Sequence, residues 1–221
     1  MIRFENVTKE FFLEGRRKVI MENTNLELPD GRSVALLGRN GAGKSTLLQM
    51  IAGTMPPTSG QIVTTGAISW PVGFGGSFHG ELSGAQNCRF VGRIYGVDTD
   101  ELIDFVEDFA GLGVHFHLPF RTYSSGMKSR LAFGVSMGVA FDTYLVDEIT
   151  AVGDAAFKQR SDALFKERMK RAGAVVVSHS MPQIRRLCDS AVVLEDGQAL
   201  YFDDVAEGIA HHERNMSSGR P

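Results

Sequence analysis

Gly38-Arg39-Asn40-Gly41-Ala42-Gly43-Lys44-Ser45-Thr46 decides how the rest of this chain is read, because it fills every fixed position of the pattern G-x-x-x-x-G-K-[ST]. Ser33-Val34-Ala35-Leu36-Leu37 before it has the texture of a short buried strand. Leu47-Leu48-Gln49-Met50-Ile51-Ala52 after it reads as a helix that ends at Gly53. The order strand, loop, helix aims unpaired backbone N–H groups and a partial positive charge at an anion. Gly41 and Gly43 allow consecutive N–H groups to curl around phosphates with no side chain in the way. Lys44 then supplies a full charge for the β and γ phosphates of a nucleoside triphosphate, and Ser45 a hydroxyl for magnesium. A plain glycine-rich turn does not account for Lys-Ser-Thr at a helix start. The glycine spacing G-x-x-G-x-G also differs from the dinucleotide fingerprint G-x-G-x-x-G. The stretch is read as a phosphate grip.

The bulk numbers allow one large domain, or a core with a subdomain: 221 residues, 43% hydrophobic and 22% charged. A net charge of -3 removes a strong electrostatic argument for nucleic acid as a partner. Cys88 and Cys188 lie far apart, with no metal or redox spacing, and read as core thiols in a reducing compartment. Met1-Ile2-Arg3-Phe4-Glu5-Asn6 has no apolar leader character, so nothing suggests secretion. The longest weakly polar run, 131–141, falls short of the roughly 20 residues needed to cross a bilayer. The chain is not expected to cross a membrane by itself.

Strands are expected at 2–7 and within 19–28, with Pro29-Asp30-Gly31 turning into the strand before the phosphate grip. Phe11-Phe12 falls between the first two, in a stretch rich in Glu, Arg and Lys that reads as a polar loop. Two adjacent rings cannot both face one core from a strand. One is free to stack on something flat, and a ring packed on the domain edge and a ring stacked on adenine remain open alternatives. Short strands follow at 61–63 and 68–70, then the glycine-rich 72–80 reads as a mobile loop that packs against something when ordered. From 81 to 141 the pattern turns helical. Asp98-Thr99-Asp100-Glu101 reads as a capping box, after which Leu102, Ile103, Phe105, Val106, Phe109 and Leu112 share one helical face, stopped by Gly111 and Gly113. His115-Phe116-His117 invites a metal reading, but no carboxylate or third ligand is near in sequence, so a packed or partner-facing pair is preferred.

Tyr123-Ser124-Ser125-Gly126-Met127-Lys128-Ser129-Arg130 opens a helix over 131–141 and serves either as an N-cap or as a second phosphate cradle. The choice falls to the cradle because of what comes next. Thr143-Tyr144-Leu145-Val146-Asp147-Glu148 is a buried strand ending in two carboxylates, and the carboxyl ends of such strands are where parallel α/β sheets bind ligands. Asp147 can hold the magnesium shell, and Glu148 is placed to orient or deprotonate the attacking water. A polar helix over 155–172 is followed by a strand over 174–179, where His179 either donates to a γ-phosphate or sits satisfied in the core. Strands at 191–195 and 198–202 join through Asp196-Gly197, and a last helix spans 205–215. The tail 216–221 reads as disordered, and His211-His212 as exposed.

This order of motifs resembles the nucleotide-binding subunit of ABC transporters over nearly the whole chain. More narrowly, Ile68-Ser69-Trp70-Pro71-Val72-Gly73-Phe74, Thr122-Tyr123-Ser124-Ser125-Gly126-Met127 and Val146-Asp147-Glu148-Ile149-Thr150-Ala151-Val152-Gly153-Asp154 resemble the ATPases of bacterial capsular polysaccharide exporters. The resemblance implies an α/β P-loop NTPase core with an antiparallel β subdomain and a helical subdomain. It divides one nucleotide-binding domain into a core at 1–72 and 142–215 and a helical, signature-bearing part at 73–141. ATP and Mg2+ are the implied cofactors. Lys44, Glu148 and His179 become catalytic, with His179 as the switch histidine; Ser45 and Asp147 take the metal. Gly38 to Thr46 hold the phosphates, and Phe11 is the likelier adenine-stacking ring. Tyr123 to Met127 become the signature, whose Ser124, Ser125 and Gly126 contact ATP held by a second, head-to-tail copy, while Asp154 is the acid of the loop that crosses the dimer interface.

The implied setting is the cytoplasmic face of a bacterial inner membrane, bound to a separate permease through the helical insert and the glycine-rich loop before it, with no nucleic acid partner. The rival is an ABC-type ATPase without a permease, acting on ribosomes or nucleic acid; O-antigen and teichoic-acid exporters are closer variants. Three departures stand out: Tyr-Ser-Ser-Gly-Met replaces Leu-Ser-Gly-Gly-Gln, Ile149 replaces a proline, and Val72-Gly73-Phe74-Gly75 lacks the usual glutamine.

Overall fold

The strand before the phosphate grip is buried along its length and runs as far as the first glycine of the motif. In the computed structural model, which describes residues 1–13, 15–73, 78–147 and 154–217, it is the third strand. Two units divide the chain: Met1–Pro71, Phe141–Glu148 and Arg171–Pro221 form the first, and Val72–Ala140 and Ile149–Lys170 the second.

The first unit opens with a long antiparallel hairpin, β1 (Ile2–Leu13) and β2 (Arg16–Leu28). Three register shifts interrupt it. Asn6 and Asn23, both at positive φ, sit at the first two, as expected of residues that tolerate left-handed backbone at bulges. At the third, Lys9 pairs with Met21 and Glu10 with Val19, leaving Ile20 without a partner opposite. β3 (Ser33–Gly38) leads into α1 (Lys44–Ile51), then β4 (Ser59–Thr64) joins β1 to complete a sheet ordered β2-β1-β4, and β5 (Ile68–Pro71) starts the edge of a second sheet.

Among the described residues the second unit holds four α-helices. They are α2 (Gly84–Tyr95), α3 (Thr99–Ala110), α4 (Ser125–Gly138) and, after the strand β6 (Thr143–Asp147) of the first unit, α5 (Ala155–Met169). Its core is aromatic: Phe109 of α3 lies 5.7 Å from Phe133 of α4 and 5.3 Å from Phe157 of α5, ring centre to ring centre. Asp98 caps α3 by accepting from the N–H groups of Asp100 and Glu101. The full reciprocal capping box is elsewhere, between Ser83 and Gln86 at the start of α2. His117 Nε2 lies 3.0 Å from Glu107 Oε1, while Phe116 between the two histidines is buried. Among the described residues no group of three His, Cys, Asp or Glu side chains is placed to hold a metal.

Back in the first unit, β7 (Gly173–Val177), α6 (Met181–Leu187), β8 (Ser190–Glu195), β9 (Gln198–Phe202) and α7 (Val205–Ser217) complete a six-stranded sheet and its flanks. The strand order is β5-β6-β7-β3-β8-β9, parallel except for the final β8-β9 hairpin. β6, β7 and β8 are apolar runs like β3, as strands covered on both faces must be. At eight residues α1 is shorter than the roughly 12–15 needed for a helix to persist alone. Its Leu47, Leu48, Met50 and Ile51 enter a core shared with both sheets, and at about 1.5–3 kcal/mol per side chain their burial is what holds it.

Four local expectations are corrected. Phe11 and Phe12 are not in a loop, because β1 continues to Leu13 by pairing Phe11 with Lys18 and Phe12 with Arg17. α7 runs on to Ser217, so Met216 and Ser217 are helical. His211 and His212 are half-buried: the His211 ring lies 5.1 Å from that of Phe202, and its Nε2 is 3.5 Å from Glu195 Oε2. β7 stops at Val177, so Ser178 and His179 lie beyond the strand. The tail 218–221 and the glycine-rich 74–77 lie outside the described residues.

Candidate active site

Parallel strands put all their carboxyl ends on one edge of a sheet. In this sheet β3 lies beside β7, and β7 beside β6, so the edge carries Gly38, the residues after Val177, and Asp147 in adjacent lanes. Counting on from the Ala35–Val176 pair, His179 falls level with Gly38. Its side chain is exposed.

Between β3 and α1 the loop turns through Gly41 at φ 80° and Gly43 at φ 106°. A side chain at Gly43 would be strained twice over, since its Cβ would stand 2.3 Å from Ile20 Cγ2. Gly43 is also the N-cap of α1 and gives no side-chain cap, so the N–H groups of the first turn are left for another acceptor. Ala42 N–H closes a turn onto the Arg39 carbonyl at 3.1 Å. Lys44 folds back over this loop and donates to the carbonyls of Gly38 at 2.7 Å and Arg39 at 3.0 Å. Asn40 is exposed, and Thr46 half-buried in the first helical turn.

The two residues expected to hold a metal, one hundred and two positions apart, are brought together. Ser45 Oγ lies 3.4 Å from Asp147 Oδ2. Two adjacent ligands of an octahedral magnesium ion, each about 2.1 Å from it, stand about 3 Å apart, so a hydroxyl and a carboxylate at this separation fit that hard, oxygen-seeking cation. Glu148 lies outside the described residues, as does Ile149. Phe11, half-buried on β1, has the Lys9 ammonium 4.9 Å from its ring centre, whereas Phe12 is 71% exposed. α7 packs on β8 and β3. Burial, and after it the charge of Lys44, hold the His212 imidazole below its usual pKa. Sequence patterns gave no sign that this helix sits within the field of the phosphate loop.

In the second unit, Ser124 caps α4 by accepting from the Met127 N–H at 3.3 Å, and Ser125 and Gly126 form the first turn. A Cβ at Gly126 would have Ser124 Oγ, 4.0 Å away, as its nearest described neighbour. Asp154 is engaged within the chain. It caps α5 through the Phe157 N–H at 2.8 Å and pairs with Arg130 of α4 at 2.9 Å, and these two partners, in that order, hold its carboxyl below the usual range. Arg130 is the residue that sequence reasoning passed over; its position one helical turn beyond the Ser-Ser-Gly stretch was the available signal.

The model of the family described as ABC transporter matches residues 21–151, more than half of the chain. The chain belongs to the ABC transporter ATP-binding family. A polysialic acid transport ATP-binding protein of Escherichia coli, KpsT, is 49% identical over 216 residues, covering 96% of either chain. A capsule polysaccharide export ATP-binding protein of Neisseria meningitidis, CtrD, is 42% identical over 96% of this chain and 98% of its own. ATP-binding proteins of O-antigen and teichoic-acid export systems also match, at 31–38% identity. Among solved structures, the ATP-binding cassette MJ0796, described as a dimer in a post-hydrolysis state with ADP and Pi, aligns with a TM-score of 0.77 over 93% of this chain and 99% of that one. At 20% identity that likeness speaks for the fold: a P-loop NTPase of the ABC type, with a mixed sheet and a helical subdomain. The chain is thus an ABC-type ATPase domain homologous to several polysaccharide-export ATPases. No helix among the described residues is long and apolar enough to cross a membrane.

Proposed function

We propose that this chain is the ATP-hydrolysing subunit of a bacterial capsular polysaccharide exporter, docked on a separate permease at the cytoplasmic face of the inner membrane. The hydrolysis half rests on one observation above the rest: Ser45 of the phosphate loop and Asp147 at the end of β6 meet at 3.4 Å on the edge where the loop opens. The transport half rests on relatives named for polysialic acid and capsule polysaccharide, matched at 49% and 42% over nearly their whole lengths.

In this reading the curled backbone of 38–46 and the first turn of α1 hold the phosphates of ATP. Lys44 exchanges the Gly38 and Arg39 carbonyls for phosphate oxygens, a swap of neutral acceptors for charged ones that favours the bound state. Ser45 and Asp147 hold Mg2+, which when bound offsets the charge of the β and γ phosphates. Glu148 takes the proton of the attacking water or orients it, and His179 donates a hydrogen bond to the γ-phosphate as charge builds there. Phe11 stacks on adenine. Ser124, Ser125 and Gly126 face the ATP of a second, head-to-tail copy, and among the described residues nothing but Ser124 Oγ, at 4.0 Å, comes near where a Gly126 side chain would be. Asp154, besides capping α5, is the acid of the loop that crosses between the copies. The division at 73–141 between core and signature-bearing part belongs to the same proposal.

Two measurements test it. Glu148→Gln is expected to bind ATP as the parent does, lose turnover and collect as a dimer on size exclusion; parental turnover would remove Glu148 from its role. Tagged protein drawn from bacterial membranes should bring an integral membrane partner, and deletion of its gene should leave polysaccharide inside the cell. Recovery on ribosomes with export intact would overturn the transporter reading.

A further inference from the structure

We propose that Lys18 of β2 is a further ligand of the nucleotide phosphates, a second ammonium supplied to the loop from the three-stranded sheet; this rests on reading 38–46 as the phosphate loop. The placement comes from two contacts between β2 and that loop. Ile20, the residue left without a partner in the hairpin register, presses on Gly43, where an added Cβ would meet its Cγ2 at 2.3 Å. Two residues earlier on β2, Lys18 reaches Gly41: a Cβ there would lie 3.8 Å from Lys18 Nζ. β2 does not drift over the loop freely, because its Glu22 N–H donates to the Gly197 carbonyl at 2.9 Å and Val19 Cγ1 stands 3.3 Å from where a Gly197 Cβ would be. The strand is pinned with Lys18 above the loop backbone.

Most of the cations around Lys18 are already used, Arg16 near the hairpin turn excepted. Arg17 is held between Glu10 and Glu22. Lys9 donates to the Pro56 carbonyl at 2.8 Å and lies over Phe11, and Lys44 donates to two loop carbonyls. Lys18 is exposed, and among the described residues its ammonium makes no hydrogen bond or ion pair. An ammonium carries three donors and no acceptor, so its natural complement is an anion. Lys18 also stands directly opposite Phe11 in the hairpin, and residues directly opposite share a face of the sheet. One face of the hairpin therefore offers an aromatic ring for a base and an ammonium for its phosphates. The bland alternative is a solvated surface lysine.

The test compares Lys18→Met, which keeps most of the stem without the charge, and Lys18→Arg, which keeps the charge, with the parent protein and Lys44→Ala. Affinities for ATP, ADP and adenosine are measured by calorimetry at about 50 mM and about 300 mM salt. An exposed ion pair of this kind corresponds to a change of about five-fold in Kd. Lys18→Met is expected to bind ATP about five-fold more weakly at the lower salt, with a smaller loss for ADP and none for adenosine. The gap should narrow at the higher salt, and Lys18→Arg should restore binding. Unchanged ATP affinity in Lys18→Met, with binding lost in Lys44→Ala, overturns the Lys18 assignment and leaves the phosphate loop standing. An equal loss for adenosine also overturns it, since the lysine would then serve the base. Full affinity in both Lys18→Met and Lys44→Ala overturns the phosphate-loop reading itself.

Discussion

Gly43→Ala would place a methyl group where the loop has no room for one. The new methyl would stand 2.3 Å from Ile20 Cγ2, 3.1 Å from its Cδ1 and 3.3 Å from its Cβ, where carbon atoms rest at about 3.5 Å or more. Ile20 is 4% exposed and, being β-branched, has few rotamers to retreat into. Overpacking of that kind costs about 1–3 kcal/mol. Holding alanine at φ 106° adds about 1–3 kcal/mol of backbone strain. The sum is about 2–6 kcal/mol, a large share of the stability of an ordinary domain. Ile20→Ala alone removes a buried side chain at about 2–5 kcal/mol, yet it also removes the obstacle. The double variant should therefore cost less than the sum of the single ones by the packing share, about 1–3 kcal/mol, while the strain share persists. Urea unfolding of the four proteins measures the cycle, and calorimetric titration with ADP reports on the loop. Additivity to within about 0.5 kcal/mol would mean that Ile20 does not limit position 43, and full ADP affinity in Gly43→Ala would mean that the loop does not need its curled backbone.

Lys44→Ala should weaken ATP binding by about 10–100-fold, the worth of a hydrogen bond between charged groups. In the same variant the NMR titration of His212 should move up, since the Lys44 charge is the second cause, after burial, of its lowered pKa; an unmoved midpoint would place α7 outside the field of the loop. Because the folded form disfavours the imidazolium, the His212 contribution to stability is complete above its ordinary pKa of 6.5 and declines as pH falls below it, a slope that His212→Gln should flatten in acid unfolding curves. Ser45→Ala and Asp147→Asn should each raise the magnesium concentration needed for turnover, and the double variant should raise it by less than the product of the two, because both oxygens serve one ion; independent effects would separate them. Burial pushes the thiols of Cys88 and Cys188 up to about 12, so a thiol reagent at mildly alkaline pH should label neither until urea is added.

The strand, loop and helix around Gly38 to Thr46 could be read from sequence because every element of that reading is local: an apolar run, a fixed glycine spacing, a helix start. Asp147 followed from the same logic, a buried strand ending in acid. What escaped depends on partners far along the chain. The charged stretch around residues 14–18 looks like a loop, yet antiparallel pairing in an exposed hairpin asks only for backbone groups, and so carries Phe11 and Phe12 into β1. Ten residues separate His117 from the Glu107 carboxylate that meets it, too far for a pattern search and close across a turn. The histidines of α7 look exposed from their polar neighbours, but Phe202 and Glu195 of the β8-β9 hairpin receive His211. α6 was missed because seven residues give too little periodicity, although Ser180 as cap and Pro182 in the first turn were there to be seen.

The unpaired Ile20 has a consequence for how this chain can vary. Deleting that single residue would close the third register shift of the hairpin and leave the two at Asn6 and Asn23. The same deletion would draw Lys18 back along the strand and lift the isoleucine from the phosphate loop. Sheet regularity and reach over the loop are therefore opposed at this position: a more regular ladder would come only with the loss of a buried side chain and of its contact with Gly43.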